Sequence, residues 1–260
     1  MLQARLPPAQ VTKLSLIGSA SFLVLWSLAA LSGITSRAFL PAPWDVLSRF
    51  AQLVIEPFAG YTLFEHLLSS FGRFAMGFGI AVLIGIPLGL LMASFRWLDR
   101  LVTPAFDAVR FVAPIAWVPF AALWFGTGIG GPVLIIFMGA FPPVLINTYR
   151  GAKNVDRKYI EAAKMLGASH LRQMTQVLLP AAVPSIVAGL RISAGLGWQS
   201  LVGAELIVAS SGVGYLMVKG QASVSTAIVM SGMIAIGIVG VLIDIGLRRV
   251  QQSIETRRGI

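Results

Sequence analysis

FVAPIAWVPFAALWFGTGIGGPVLIIFMGAFPPVLINTY, running from Phe111 to Tyr149, contains no charged residue. A helix needs about 20 apolar residues to cross the hydrocarbon core of a bilayer. This run is too long for one crossing and suits two. The segment Gly126 to Pro132 divides it, because a series of glycines ending in proline reads as a tight turn. Charges punctuate the flanking sequence at nearly the same spacing. A first span is expected over 14–32, a second between Arg73 and Arg96, a fifth from Pro184 towards Ala209 and a sixth between Lys219 and Asp244. The reading is an all-α membrane protein of about six transmembrane helices.

Composition agrees. Of 260 residues, 57% are hydrophobic and only 12% charged, against roughly 25% charged in soluble domains. Charge that scarce does not cover a water-facing surface, whereas lipid requires none. The net charge of +10 raises nucleic acid as a partner, but the basic residues cluster between apolar spans, as cytoplasmic loops require. With the N-terminus inside, the inner segments 1–13, 95–107, 150–180 and 247–260 carry most of the basic residues, among them Arg5, Lys13, Arg150, Lys153 and Arg258. The outer segments 33–70, 126–131 and 210–226 carry only Arg37, Arg49 and Lys219. Both termini are therefore expected in the cytoplasm. Arg5 and Lys13 before an apolar stretch superficially resemble a signal peptide, but no small-residue cleavage site follows, so a retained span is expected. Residues 40–53 open with prolines and place Val46, Leu47, Phe50 and Leu53 at helical spacing. They read as an amphipathic helix lying on the outer surface or packed on the bundle.

The inner segment 150–180 carries the chemistry. Residues 158–166 are mostly good helix formers. Gly167 offers a left-handed helix end, Ser169 an N-cap for a second helix over 170–179, and Pro180 a stop. Ala162 and Ala163 leave a shallow face with Glu161 at its edge. At these residues the chain resembles the permease subunits of ABC importers. Their signature is Glu-Ala-Ala, three residues, Gly, nine residues, an aliphatic residue, one residue, Leu-Pro. It is matched by Glu161, Ala162, Ala163, Gly167, Val177, Leu179 and Pro180. Further stretches, 111–126, 189–193, 197–206 and 212–216, look like the branch that imports taurine, other sulfonates, nitrate or bicarbonate. The Gly-Leu-Gly-Trp of 195–198 is most similar to taurine permeases.

That resemblance implies a type I ABC importer permease fold in a single domain over 1–260. It comprises a peripheral first span (14–32), a five-helix core (71–247) and a cytoplasmic coupling hairpin (150–180). It implies that Glu161, Ala162, Ala163, Gly167 and Ala168 form a helix gripped by a separate ATPase. It also implies a second copy of the chain, two ATPase subunits that bind ATP and Mg, an extracytoplasmic solute-binding protein, and the bacterial inner membrane. The chain itself is then not an enzyme.

The sequence supports this by what it lacks. There is no Gly-x-x-x-x-Gly-Lys-[Ser/Thr] loop, so nucleotide must bind elsewhere. There is no cysteine, and His66 and His170 fall on opposite sides of the expected membrane, so no metal site is expected. An ATP-independent secondary transporter or channel is the alternative, and it needs intramembrane carboxylates or a charged ring. Glu205 is the notable carboxylate inside a span, where it needs a partner or a water cavity; Arg73 and Lys219 are the candidate partners. Arg110 and Arg191 lie at the inner ends of spans, either snorkelling to the interface or serving translocation. Trp117, Trp124 and Trp198 either line a path or sit in core packing or the interfacial belt, and Gln199 and Ser200 offer hydrogen bonds to an oxyanion. With Glu205 these are the candidate path residues. Pro114, Pro119, Pro142 and Pro143 break helical ladders, and Gly85 with Gly89 permits close helix approach within the subunit.

Overall fold

The computed structural model describes residues 8–33, 36 and 38–257. Arg5, Arg37 and Arg258, used above for orientation, lie outside the described residues. The chain is helical nearly throughout: α1 (Pro8–Leu31), α2 (Pro43–Ile55), α3 (Leu63–Ser94), α4 (Arg96–Arg110), a 3-10 turn (Pro114–Trp117), α5 (Val118–Phe125), α6 (Gly130–Lys153), α7 (Arg157–Met165), α8 (His170–Gln173), a π turn (Met174–Leu178), α9 (Leu179–Val208), α10 (Val213–Ala222) and α11 (Thr226–Arg257). Among the described residues five stretches are long and apolar enough to cross a membrane: Thr12–Leu31, Leu63–Ser94, Gly130–Lys153, His170–Val208 and Thr226–Ile254. A sixth crossing exists if Arg96–Arg110 and Pro114–Phe125 count as one broken span, for they meet at 91°.

That bend corrects the expected third span. The apolar run begins at Phe111, but the helix that should carry it is broken. Pro114 disfavours α geometry at the preceding residue, and Ala113 adopts φ −57°, ψ 138°. Pro119 falls in the first turn of α5, where its missing N–H is no loss. A second correction concerns Pro180, expected to end a helix. Instead the chain runs from α8 into α9 through the π turn, and the Leu179 N–H reaches back five residues to the Met174 carbonyl. The widened turn takes up the mismatch that proline imposes on its preceding turn.

By internal contacts the chain forms two compact units. One comprises Met1–Leu63 and Leu216–Ile234, the other Phe64–Tyr215 and Ala235–Ile260. In the first, α1 is exposed along nearly its whole length, as a span facing lipid would be. Trp26 Nε1 donates to the Pro41 carbonyl at 3.1 Å. In α2, Val46 and Leu53 are buried while Trp44, Leu47 and Ile55 are exposed; Ser231 Oγ donates to the Val46 carbonyl at 3.2 Å.

The second unit holds the functional regions. α6 and α9 pack against each other over an extensive interface. Small residues let the backbones approach. A Cβ on Gly77 would lie 2.7 Å from Ile136 Cβ, one on Gly85 2.8 Å from Val144 Cγ1, and one on Gly89 2.8 Å from Thr148 Cβ. Gly77, Gly85 and Gly89 thus form a groove on α3 that receives α6, a use of small residues expected where lipid supplies no hydrophobic drive between helices. Phe74 meets Trp198 edge-on at 5.4 Å, and Trp198 Nε1 donates to the Ile236 carbonyl at 3.0 Å. Trp198 is therefore a core residue with its polar atom satisfied.

Candidate functional site

The hairpin is built from local capping. Asp156 starts α7: its Oδ1 accepts the Lys158 backbone N–H at 3.1 Å, and its Oδ2 pairs with Lys158 Nζ at 2.8 Å. The hydrogen bond from the Lys158 side chain, then that from its backbone, hold the Asp156 carboxyl below its usual value, and Asp156 raises Lys158 in return. α7 ends at Gly167, whose φ is +74°. The Gly167 N–H donates to the Lys164 carbonyl at 2.9 Å and the Ala168 N–H to the Ala163 carbonyl at 3.0 Å. These two bonds are a Schellman motif, which needs a residue without a Cβ at the left-handed position. Ser169 caps α8, its Oγ accepting from the Arg172 N–H at 3.5 Å. Gln173, buried, donates from Nε2 to the Ala168 carbonyl at 2.7 Å and so ties the bend to the helix after it.

Between α7 and the chain from Gln176 to Ala181 lies a groove of about 530 Å³, lined by Tyr159, Ala162, Ala163, Leu166, Val177 and Pro180 among others. Glu161, Ala162 and Gly167 are exposed, while Ala163 and Ala168 are half-buried. Two residues not singled out above stand further out: Met165 is 89% and Leu166 87% exposed. Their signal was present in the sequence, as two apolar residues before the glycine of an otherwise charged short helix.

Glu205 is almost fully buried, 2% exposed, on α9. Its Oε1 meets Arg73 Nη1 at 2.8 Å. Ser70 Oγ lies 2.8 Å from each carboxylate oxygen, and the Gly214 N–H donates to Oε2 at 3.0 Å. Arg73 also donates to the Ser211 carbonyl at 2.7 Å and to Ser211 Oγ at 2.6 Å. The Gly212 N–H donates to His66 Nδ1 at 3.1 Å. Gly214 permits the approach, since a Cβ there would lie 2.6 Å from Glu205 Cβ. Of the two candidate partners, Arg73 is the one that meets the carboxylate.

A cavity of about 550 Å³ lies elsewhere in this unit, walled by the end of α4, by α6 and by α9. Gln199 and Ser200 line it, together with Arg110, Asn147, Met138 and Gly139. Pro142 and Pro143 sit within the uninterrupted α6. Lacking N–H groups, they leave the carbonyls of Met138 and Gly139 without helical donors. Backbone irregularity of this kind is tolerated in membranes where it borders a cavity. Trp117, Trp198 and Glu205 do not line this cavity. Trp117 packs beside Val118, Ala121 and Ala204, and Trp124 is exposed. Arg191 pairs with Asp244, Nε to Oδ1 at 2.5 Å, and Arg248 Nη2 reaches the same carboxylate at 2.8 Å. Among the described residues no cluster of His, Cys, Asp and Glu is arranged to hold a metal.

Residues 85–259 match the family described as binding-protein-dependent transport system inner membrane component. The chain is 34% identical over 259 residues to the taurine transport system permease protein TauC of Escherichia coli (strain K12), covering 99% of this chain and 94% of that protein. It is 34% identical over 239 residues to the bicarbonate transport system permease protein CmpB of Synechococcus elongatus, covering 89% of this chain and 85% of that one. Among solved structures, an inward-facing conformation of the MetNI methionine ABC transporter matches with a TM-score of 0.65 at 18% identity, over 74% of this chain and 95% of that one. That likeness carries the type I permease fold, and the family match together with full-length identity to permeases carries the rest: this chain is a multi-pass membrane protein belonging to the binding-protein-dependent inner membrane component family of ABC transporter permeases.

Proposed function

We propose that this chain is the membrane-spanning subunit of an ATP-driven importer in the bacterial inner membrane. It translocates a small anionic or zwitterionic solute handed over by an external binding protein. Taurine or another sulfonate comes first, then nitrate or bicarbonate. The observation that carries this reading is the hairpin: a capped helix, closed by a Schellman bend at Gly167, presents Glu161, Ala162 and Ala163 beside exposed Met165 and Leu166. An isolated membrane protein gains nothing from exposing two large apolar side chains on a charged helix, whereas a partner's cleft would bury them. The names of the two relatives support the solute class.

In this reading the working unit is a homodimer with two ATPase subunits, which bind ATP and Mg. Their closure moves the hairpin as a lever. Gln173 and the continuous passage from α8 into α9 transmit that movement to a membrane-spanning helix without a flexible joint. The bundle shifts between inward- and outward-open states because each partner binds those states unequally. Both termini then face the cytoplasm, with the hairpin on the same side.

The test is reconstitution in proteoliposomes with candidate ATPase and binding-protein partners from the same organism. Uptake of labelled taurine, methanesulfonate, nitrate or bicarbonate is then measured with ATP and with a non-hydrolysable analogue. Uptake of one solute only with hydrolysable ATP is expected. Equal uptake without it, or failure of the ATPase to co-purify, refutes the reading.

A further inference from the structure

The 550 Å³ cavity falls in the size range of small-ligand sites, and it is mostly apolar: Phe111, Ile115 and Leu196 stand in its wall. One of its lining residues is charged. Arg110 ends α4 where the chain turns by 91°, and its guanidinium carbon stands 4.6 Å over the Phe111 ring. Its Nε faces Asp107 Oδ1 at 2.8 Å, while among the described residues its two terminal nitrogens have no partner. Asp107 does not line this cavity; it lines a second one of about 190 Å³, which Arg110 also lines together with Arg150 and Tyr149. Arg110 and Ile146 line both cavities, Arg110 being the charged one of the two, and with Arg150 the cations outnumber the carboxylate.

Two of the remaining polar side chains in its wall, Gln199 and Asn147, offer donor groups. Gln199 has no hydrogen bond among the described residues. Asn147 Nδ2 gives one proton to the Pro143 carbonyl at 2.8 Å and keeps the other. The Ser200 hydroxyl is turned to the Leu196 carbonyl at 2.7 Å, so it is no donor here. A planar guanidinium fork matches the paired oxygens of a sulfonate, nitrate or bicarbonate, and apolar walls focus its field.

We propose that Arg110 is the anion-selecting residue of the translocation route: it takes the oxyanion head of the passing solute between the two cavities, with Gln199 and Asn147 donating to it. This rests on the importer reading above and adds the residue that would set its charge preference.

The chain has no cysteine, so Gln199→Cys places a single thiol in the cavity. In the membrane-embedded transporter that thiol is reacted with sulfonatoethyl methanethiosulfonate, an anion, and with its trimethylammonioethyl counterpart, a cation. Each rate is divided by the same reagent's rate with free cysteine. The anionic reagent is expected to be favoured by about tenfold or more. Added Arg110→Gln brings the ratio near one, Arg110→Lys keeps a preference for the anion, and millimolar methanesulfonate slows anionic labelling. A ratio at or below one with Arg110 present overturns the proposal. So does an unchanged ratio in Arg110→Gln. If Arg110→Gln does not fold, the ratio in Gln199→Cys alone and the methanesulfonate protection still decide. Failure of ATP-dependent uptake with the anion preference intact counts against the importer reading alone, because the labelling needs no ATP.

Discussion

Replacing Arg73 by methionine keeps most of its length while removing its charge, and the cost follows from the geometry. At 2.8 Å and an effective dielectric of 20, the attraction between Arg73 and Glu205 is about 6 kcal/mol, much of it offset by the desolvation of both groups. Arg73→Met leaves Glu205 buried with only Ser70 and Gly214 as donors and takes two hydrogen bonds from Ser211. Breaking one side of such a pair destabilises by about 3–5 kcal/mol. Glu205→Gln keeps the shape but loses the charge and sets an NH2 against the N–H of either Arg73 or Gly214, so a loss of about 1–3 kcal/mol is expected. The double variant should fall short of the sum by at least about 1 kcal/mol, because Arg73 and Glu205 share one network. Denaturant unfolding of the detergent-purified chain, followed by tryptophan fluorescence, reads all four corners of the cycle; Trp198 is buried in the same unit. A loss below about 1 kcal/mol for Arg73→Met, or single effects that simply add, would refute the view that this pair is a coupled structural clasp.

Gly89→Leu drives a side chain into Thr148, which a Cβ alone would meet at 2.8 Å. A loss of about 1–3 kcal/mol is expected in the same unfolding assay, and an unchanged midpoint would contradict the groove between α3 and α6. Gly167→Val and Glu161→Ala are expected to weaken retention of the ATPase on affinity resin while membrane insertion stays intact, Gly167→Val because φ +74° excludes a branched residue. Undiminished transport in both would contradict the coupling role. Leu166→Asp, at 87% exposure, should leave the unfolding midpoint unchanged and abolish that retention; equal retention would remove Leu166 from the docking surface. The cap of α7 should depend on pH. Asp156 is depressed in the fold, so its contribution is complete above the unfolded value near 3.8 and disappears as pH falls through the lower folded value. Lys158 is raised, so its contribution is complete below the unfolded value near 10.5 and disappears as pH rises through the higher folded value. Hydrogen exchange of the α7 amides, corrected for intrinsic rates, should accelerate below pH 3.8, and Asp156→Asn should abolish that acid dependence.

Much of the architecture was legible from neighbours along the chain. Transfer of apolar side chains into lipid depends on local composition, so α1, α3, α6, α9 and α11 announce themselves through the spacing of charges. Caps and left-handed bends are also local. Asp156 and Ser169 each act on a backbone N–H two or three residues away, and Gly167 acts through its own φ. The signature from Glu161 to Pro180 therefore carries both the hairpin and the family in neighbouring residues. Proline was the mixed local signal: the break expected at Pro114 is present, whereas the stop expected at Pro180 is not. Whether it ends a helix depends on what can absorb a missing donor, and at Pro180 a π turn did so while at Pro114 the chain bent.

What the chain could not state is which distant groups meet. Glu205 required a cation, and the sequence offered Arg73 and Lys219 without choosing. Arg73 is 132 residues away, and the packing of α3 against its neighbours brings it there. Trp198 carried the same ambiguity between path and core until Phe74 and the Ile236 carbonyl closed around it. The cavity beside Arg110 exists only because α4, α6 and α9 converge. Short-range hydrogen bonding and lipid transfer are properties of a few consecutive residues, so sequence determines them. An ion pair or a cavity is a property of surfaces brought together, and only the tertiary fold decides those.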